Sequence, residues 1–283
     1  MEIKPLSAAS GAEVLGVDAS TQIATKDMDV MKDALCNYGV LLLRNQKLTQ
    51  TQLVDFTKQF GESQSYDVLG HKFLLPGYPD ILSLSNVMED GKPIGVKDAG
   101  MYWHTDGSYL QDPAWISMLY ALEVPQADDG QPLGETLFAN MAAAYDALAQ
   151  EDKDRAAKLS ALHEYVYRGS PREEGQVPPS AVRPVVLGHP RTGRKLVYVN
   201  KGFTKQILDL PEDEAKAYFD KLCEFSTQPQ FRYVHRWQVG DVVLWDNFTV
   251  QHCAVSNYGE RRRRLWRTTV KGWPWRNGGF ATT

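Results

Sequence analysis

The chain has 283 residues, 43% of them apolar and 23% charged, with a formal net charge of −4 at pH 7. That length and apolar share suffice for a sizeable core, and the mild negative charge excludes a general pull toward nucleic acid or anionic membrane. No run approaches the ~20 consecutive apolar residues of a membrane span, so a soluble protein is expected.

From Thr25 to Tyr38 the apolar residues Met28, Met31, Ala34, Leu35 and Tyr38 fall at helical spacing, and Gly39 ends the helix. Val40-Leu41-Leu42-Leu43-Arg44 then reads as a buried strand. Thr49 opens a second helix, with Leu53, Phe56 and Phe60 on one face and Gly61 as its stop. Between Glu62 and Gly100 the chain is rich in turn formers, with Ile81–Ser85 as a short strand. Loops on a rigid scaffold supply specificity, which makes Tyr66 and His71 candidate substrate contacts.

Trp103-His104-Thr105-Asp106-Gly107-Ser108-Tyr109 follows. In an extended strand, positions i and i+2 face the same way, so His104 and Asp106 can reach one ion. A third ligand must come from far away, and His252, at the end of Trp245-Asp246-Asn247-Phe248-Thr249-Val250-Gln251-His252, is the best candidate. Two histidines and one carboxylate leave coordination positions open, as non-haem Fe(II) oxygen chemistry requires. By itself a His-X-Asp is weak, since it occurs by chance in many chains.

Trp115–Val124 reads as a core strand, a polar loop follows from Gln126 to Gly134, and after Glu135-Thr136-Leu137-Phe138-Ala139 comes Asn140 as N-cap of a helix from Met141 to Leu148. Residues 169–184 carry Pro171, Pro178, Pro179 and Pro184 among charges, the composition of a mobile lid or a plain surface loop. Short strands follow at Val185–Leu187, Lys195–Val199, Phe231–Val234 and Asp241–Trp245, with a helix from Pro211 through Glu224. Near the end, Arg263 and Arg267 lie within the basic run Arg261–Arg264 and just beyond it; even spacing places both on one face of a strand. Three cysteines, Cys36, Cys223 and Cys253, lack close pairing, and Met1-Glu2-Ile3-Lys4-Pro5 lacks the features of a signal peptide, so a cytoplasmic location is expected. No linker divides the chain. A single domain over 1–283 is expected, mainly β with flanking helices, in a double-stranded β-helix (jelly roll, cupin-like).

His104-Thr105-Asp106, the Trp245-Asp246-Asn247 run leading to His252, the two spaced arginines, Gly11–Asp18 and Val199–Thr204 together resemble the taurine and 2,4-dichlorophenoxyacetate dioxygenase family. The resemblance spans nearly the whole chain. It implies an Fe(II)- and 2-oxoglutarate-dependent oxygenase that uses O2, with ascorbate as reductant in vitro, and that couples oxidative decarboxylation to succinate and CO2 with C–H oxidation, above all hydroxylation. It further implies His104, Asp106 and His252 as metal ligands, Arg263 and Thr136 on the co-substrate carboxylate, and Arg267 on the anionic head of a sulfonate or carboxylate substrate. Phe203 matches an aromatic near the substrate and Trp245 stands beside the co-substrate, although both could equally be core. Family members are often homodimers or homotetramers.

Two departures stand out. The chain has Leu133-Gly134-Glu135-Thr136 where the family commonly has Gly-Gly-Asp-Thr, and Gly100 where taurine enzymes carry an asparagine four residues before the first metal histidine. Desaturation, epoxidation and cyclisation of a natural-product intermediate remain open as outcomes. A metal-dependent hydrolase on the same three ligands is the remaining alternative, and it gives no reason for Arg263.

Overall fold

A computed structural model describes residues 1–66, 72–97, 99–166, 175, 177–276 and 278–280. Its largest element is an eight-stranded sheet in the order Glu2–Pro5, Ala12–Leu15, Val40–Leu43, Val242–Asp246, Ala114–Glu123, Arg264–Lys271, Tyr78–Ser85, Leu74–Leu75. Every pairing is antiparallel except that of Ala12–Leu15 with Val40–Leu43. A three-stranded sheet, Arg232–His235, Thr136–Asn140 and Val250–Ala254, is also antiparallel. A second one joins Ser180–Pro184, Ser160–Glu164 and Thr204–Ile207.

The run Val40–Leu43 shows how the layers arise. All four residues are fully buried because successive side chains alternate between two apolar environments. Leu41 and Leu43 join Met31, Leu35, Leu53 and Phe56 of the two N-terminal helices. Val40 and Leu42 face the other way, toward Trp245, Phe138 and Val250, in the core between the large sheet and the sheet that carries Val250–Ala254. Each such side chain contributes about 1.5–3 kcal/mol by leaving water. Truncating Leu42 to alanine would cost about 2–5 kcal/mol and loosen the floor beneath Trp245.

The helices begin and end for local reasons. Thr49 and Gln52 form a capping box at the start of Gln50–Phe60. Helix Thr25–Tyr38 stops at Gly39, whose φ of 74° lets its N–H reach the Leu35 carbonyl at 2.7 Å. A Cβ there would lie 2.5 Å from Val250 Cγ1, so glycine also permits the helix end to touch the strand that carries His252. Asn140 caps Met141–Ala147, its Oδ1 accepting from the amides of Ala142 and Ala143. The helix Glu212–Ser226 starts after Pro211.

Three sequence expectations change. His104-Thr105-Asp106 is not a strand: His104 makes one isolated bridge, and Asp106 enters a turn. Arg263 precedes its strand, which begins at Arg264 with a register shift before Leu265. Ser180–Pro184, placed in the 169–184 loop, is a strand paired with Ser160–Glu164; residues 169–174 and 176 lie outside the described residues.

Candidate metal centre

His104 and His252 are brought together by the backbone. Each amide donates to the other's carbonyl, at 3.1 Å from His104 and 2.9 Å from His252, which bridges His104 onto the edge of the Val250–Ala254 strand. The two imidazole centroids are 4.0 Å apart. His104 Nδ1 sits 2.8 Å from the Tyr102 carbonyl, which can only accept, so Nδ1 carries the proton and Nε2 keeps its lone pair. The turn after Thr105 swings Asp106 beneath both rings, with Oδ1 3.6 Å from His104 Nε2 and Oδ2 3.6 Å from His252 Nε2. Donors about 2.1 Å from one ion and at right angles lie about 3 Å apart, so only a small closing movement separates this arrangement from coordination. All three residues are buried. Neither Nε2 makes a hydrogen bond within the set, as suits lone pairs held for an ion.

Electrostatics favour the deprotonated ligand set. Burial pushes the Asp106 carboxyl up, but the Arg267 guanidinium, helped by His252 and His104, holds it well below the usual carboxylate range. Burial, with His104 beside it, keeps His252 neutral by holding it well below the ordinary histidine value. Arg267 Nη2 lies 2.7 Å from Asp106 Oδ2 and points its second contact at Ser117 Oγ, 3.3 Å away. Its Nε has no partner among the described residues.

A cavity opens from the two histidines and is lined by Trp245, Thr136, Arg263, Arg267 and Tyr258, with Lys97 and Met101 toward the rim. Of four consecutive arginines, three pair with surface carboxylates: Arg261 with Asp128, Arg262 with Glu123 and Arg264 with Glu89. Arg263 turns inward instead, near the Tyr258 ring, and no carboxylate among the described residues pairs with it. Burial lowers its pKa, the signature of a cation short of a counter-charge. Thr136 Oγ1 accepts from Trp237 Nε1 at 3.1 Å, which leaves its own proton to give. Trp245 packs against His252 with centroids 4.6 Å apart and donates to Asn247 Oδ1.

The remaining sequence candidates fall elsewhere. Phe203 does not line this cavity; its ring meets the edge of His104 at 5.7 Å and joins Tyr102, Tyr109 and Tyr165 in an aromatic cluster. Tyr66 is buried beside Arg267, with its hydroxyl 2.6 Å from Thr269 Oγ1. His71 lies outside the described residues. At Gly100, with φ 76°, a Cβ would stand 2.9 Å from His104 Cε1, so the asparagine of taurine enzymes has no room here.

Sequence reasoning passed over Ser117 and Asn247. Both are buried and touch Asp106, through Ser117 Oγ to Oδ2 at 2.7 Å and the Asp106 amide to Asn247 Oδ1 at 3.2 Å. Ser117 showed only as a polar residue inside the apolar run Trp115–Leu122, and Asn247 only as part of the Trp245-Asp246-Asn247 run, with no role given to it. A second buried cluster of metal-binding residue types, Cys36, His189 and Asp246, was equally hidden.

The profile of the taurine catabolism dioxygenase TauD, TfdA family matches residues 2–269. Pentalenolactone F synthase of Streptomyces arenae is 32% identical over 98% of this chain and 98% of its own. The α-ketoglutarate-dependent 2,4-dichlorophenoxyacetate dioxygenase of Cupriavidus pinatubonensis is 30% identical over 94% and 96%. The crystal structure of AAD-2 in complex with Mn(II) and N-oxalylglycine superposes with a TM-score of 0.81 and 29% identity, covering 96% of this chain and 98% of that one.

Proposed function

The chain belongs to the taurine catabolism dioxygenase TauD, TfdA family, and on that premise we propose that it is an Fe(II)- and 2-oxoglutarate-dependent dioxygenase that hydroxylates a small anionic substrate. A bound ferrous ion with 2-oxoglutarate and O2 supplies oxidative decarboxylation to succinate and CO2, coupled to oxidation of a substrate C–H bond. His104, Asp106 and His252 are the residues that would hold the ion, and their chemistry fits: two imidazole lone pairs and one anionic oxygen, soft enough for iron and arranged on one face. The two-sheet core suits the double-stranded β-helix in which such faces are built.

The observation that carries this reading is Arg263. It is a recessed guanidinium with no carboxylate partner among the described residues, in the same cavity as His104 and His252. A dicarboxylate that reaches the metal face at one end offers its far carboxylate to Arg263, whose planar fork gives two parallel charge-assisted hydrogen bonds. Thr136 donates its free proton to the same carboxylate. Trp245 walls the co-substrate and keeps water from the His252 side. Arg267 commits one nitrogen to Asp106 and leaves Nε for the sulfonate or carboxylate of the substrate.

A hydrolase would need a general base, and the described residues lining the cavity include no Asp or Glu. One observation favours a second outcome within the same chemistry. Arg267 is already neutralised by Asp106, so the site tolerates a substrate with a weaker anionic head, and a relative at 32% identity is named as a natural-product synthase. Desaturation, epoxidation or cyclisation would then replace hydroxylation.

The test is succinate formation from 2-oxoglutarate with Fe(II), ascorbate and air, with sulfonates, aryloxy acids and other carboxylates screened for stimulation. No succinate under any of these conditions overturns the proposal. The free cysteines and the lack, among the described residues, of a helix able to cross a membrane accord with cytoplasmic action.

A further inference from the structure

Ser117 stands in the middle of the strand Ala114–Glu123, fully buried, between Asp106 and Asn247. The proton positions around it are fixed by elimination. Asn247 Oδ1 accepts from Trp245 Nε1 at 3.1 Å and from the Asp106 amide at 3.2 Å, so the other end of that amide is the nitrogen. Its Nδ2 donates to Ser117 Oγ at 3.0 Å, and Arg267 Nη2 points at the same oxygen from 3.3 Å. A hydroxyl oxygen that receives donors on both lone pairs has one proton left to give. It goes to Asp106 Oδ2 at 2.7 Å, where Arg267 also donates.

The two oxygens of Asp106 are therefore unequal. Oδ2 accepts from Ser117 and Arg267 as well as lying 3.6 Å from His252 Nε2, whereas Oδ1 accepts from neither and lies 3.6 Å from His104 Nε2. We propose that Ser117, oriented by Asn247, is a positioning residue that holds the Asp106 carboxylate in the rotation presenting Oδ1 alone to the metal. Arg267 supplies charge but sits on a long side chain. The Ser117 hydroxyl is a short arm from a buried central strand of the large sheet, and it sets the angle of the carboxylate plane. Donors one step removed from a metal typically change affinity by about 10–100-fold when lost.

The inference rests on the metal reading, and the experiment separates the two. Co(II) binding and the visible Co(II) absorption spectrum are measured on the full chain, on Ser117→Ala, and on Ser83→Ala. Ser83 is a comparison of the same residue type, buried two strands away in the same sheet, with no partner for its Oγ among the described residues. Thermal melting of each metal-free protein runs beside the titration. Ser117→Ala is expected to bind Co(II) roughly 10–100-fold more weakly and, at saturation, to show altered band positions as the carboxylate turns. Ser83→Ala is expected to match the parent in both readouts. Equal affinity and identical bands in folded Ser117→Ala overturn the positioning role and leave the metal centre standing. A parent chain that does not bind Co(II) overturns the metal reading beneath it. A loss in Ser83→Ala as large as that in Ser117→Ala makes the effect one of general packing and also overturns the role.

Discussion

Two buried clusters in this protein look alike by residue type and differ in every hydrogen bond. His104, Asp106 and His252 form one; Cys36, His189 and Asp246 form the other. In the second, His189 Nδ1 accepts from the amides of Arg191 and Thr192, so the proton sits on Nε2 and is donated to Asp246 Oδ2 at 2.8 Å. Trp115 Nε1 donates to the same oxygen, and the amides of Phe248 and Thr249 fill the other. Burial, then the Asp246 charge, pushes the Cys36 thiol up, away from the thiolate a metal would need. In the first cluster the tautomer is reversed: His104 donates through Nδ1 and holds Nε2 open. The lesson is that proximity of ligand types does not make a metal centre. What distinguishes one is a lone pair left without a hydrogen.

The largest effect that could break this contrast is at Asp106. Asp106→Ala is expected to reduce succinate formation to background, and retained turnover would mean the wrong cluster was chosen. Next is Arg263→Ala, expected to raise the 2-oxoglutarate KM roughly a hundredfold with little change in the substrate KM, since an unpaired buried charge partner costs about 2–5 kcal/mol. Arg263→Lys should recover only part of it. An unchanged co-substrate dependence would remove Arg263 from the site.

The second cluster should answer in stability instead. His189→Ala leaves Asp246 buried without its strongest neutral donor, at a cost of about 1–3 kcal/mol in urea unfolding, while Co(II) stoichiometry stays at one per chain. A second equivalent of Co(II) in the parent would undo the contrast from the other side. Cys36→Ala, the smallest expected effect, should leave Co(II) affinity and spectrum untouched.

A buried histidine outside both clusters sharpens the comparison by pH. His163 is pushed down to about 3 by burial, with Arg183 adding to it, against an ordinary value of 6.5. The unfolded chain takes up a proton near 6.5 that the folded chain refuses, so stability falls as pH drops from about 6.5 toward 3. The slope for one proton is about 1.4 kcal/mol per pH unit. His163→Asn should flatten the dependence of urea midpoint on pH in that window; an unaltered slope would show that other groups govern acid unfolding.

Much of this was legible beforehand, and the reasons are local. Thr25–Tyr38, Gly39 and Val40–Leu43 were readable because periodicity, a stop residue and an all-apolar run each act within a few positions. Asn140 declared its helix for the same reason. His104, Asp106 and His252 were proposed from ligand spacing together with the resemblance, Arg263 and Thr136 from the resemblance alone, and the fold brings them to one cavity wall or beside it. The predicted strand at His104 and Asp106 was wrong in form though right in consequence, because a bridge to His252 and a turn produce the convergence that two-residue alternation had been expected to give. Ser117 could not be read, since its meaning depends on which way the Asn247 amide is turned. The helix Gln150–Ala156, with its charged sequence and single buried alanine, offered no apolar stripe to recognise.

The reciprocal amide bridge between His104 and His252 carries one more consequence. Two side chains remote in sequence are locked side by side by main-chain bonds that use none of the atoms offered to an ion. Joining them is a cost met during folding, so the proposed ion would meet two imidazoles already paired and leave only Asp106 to close. A chelator should therefore strip activity without melting the protein, and the metal-free chain should accept Mn(II) or Co(II) without refolding.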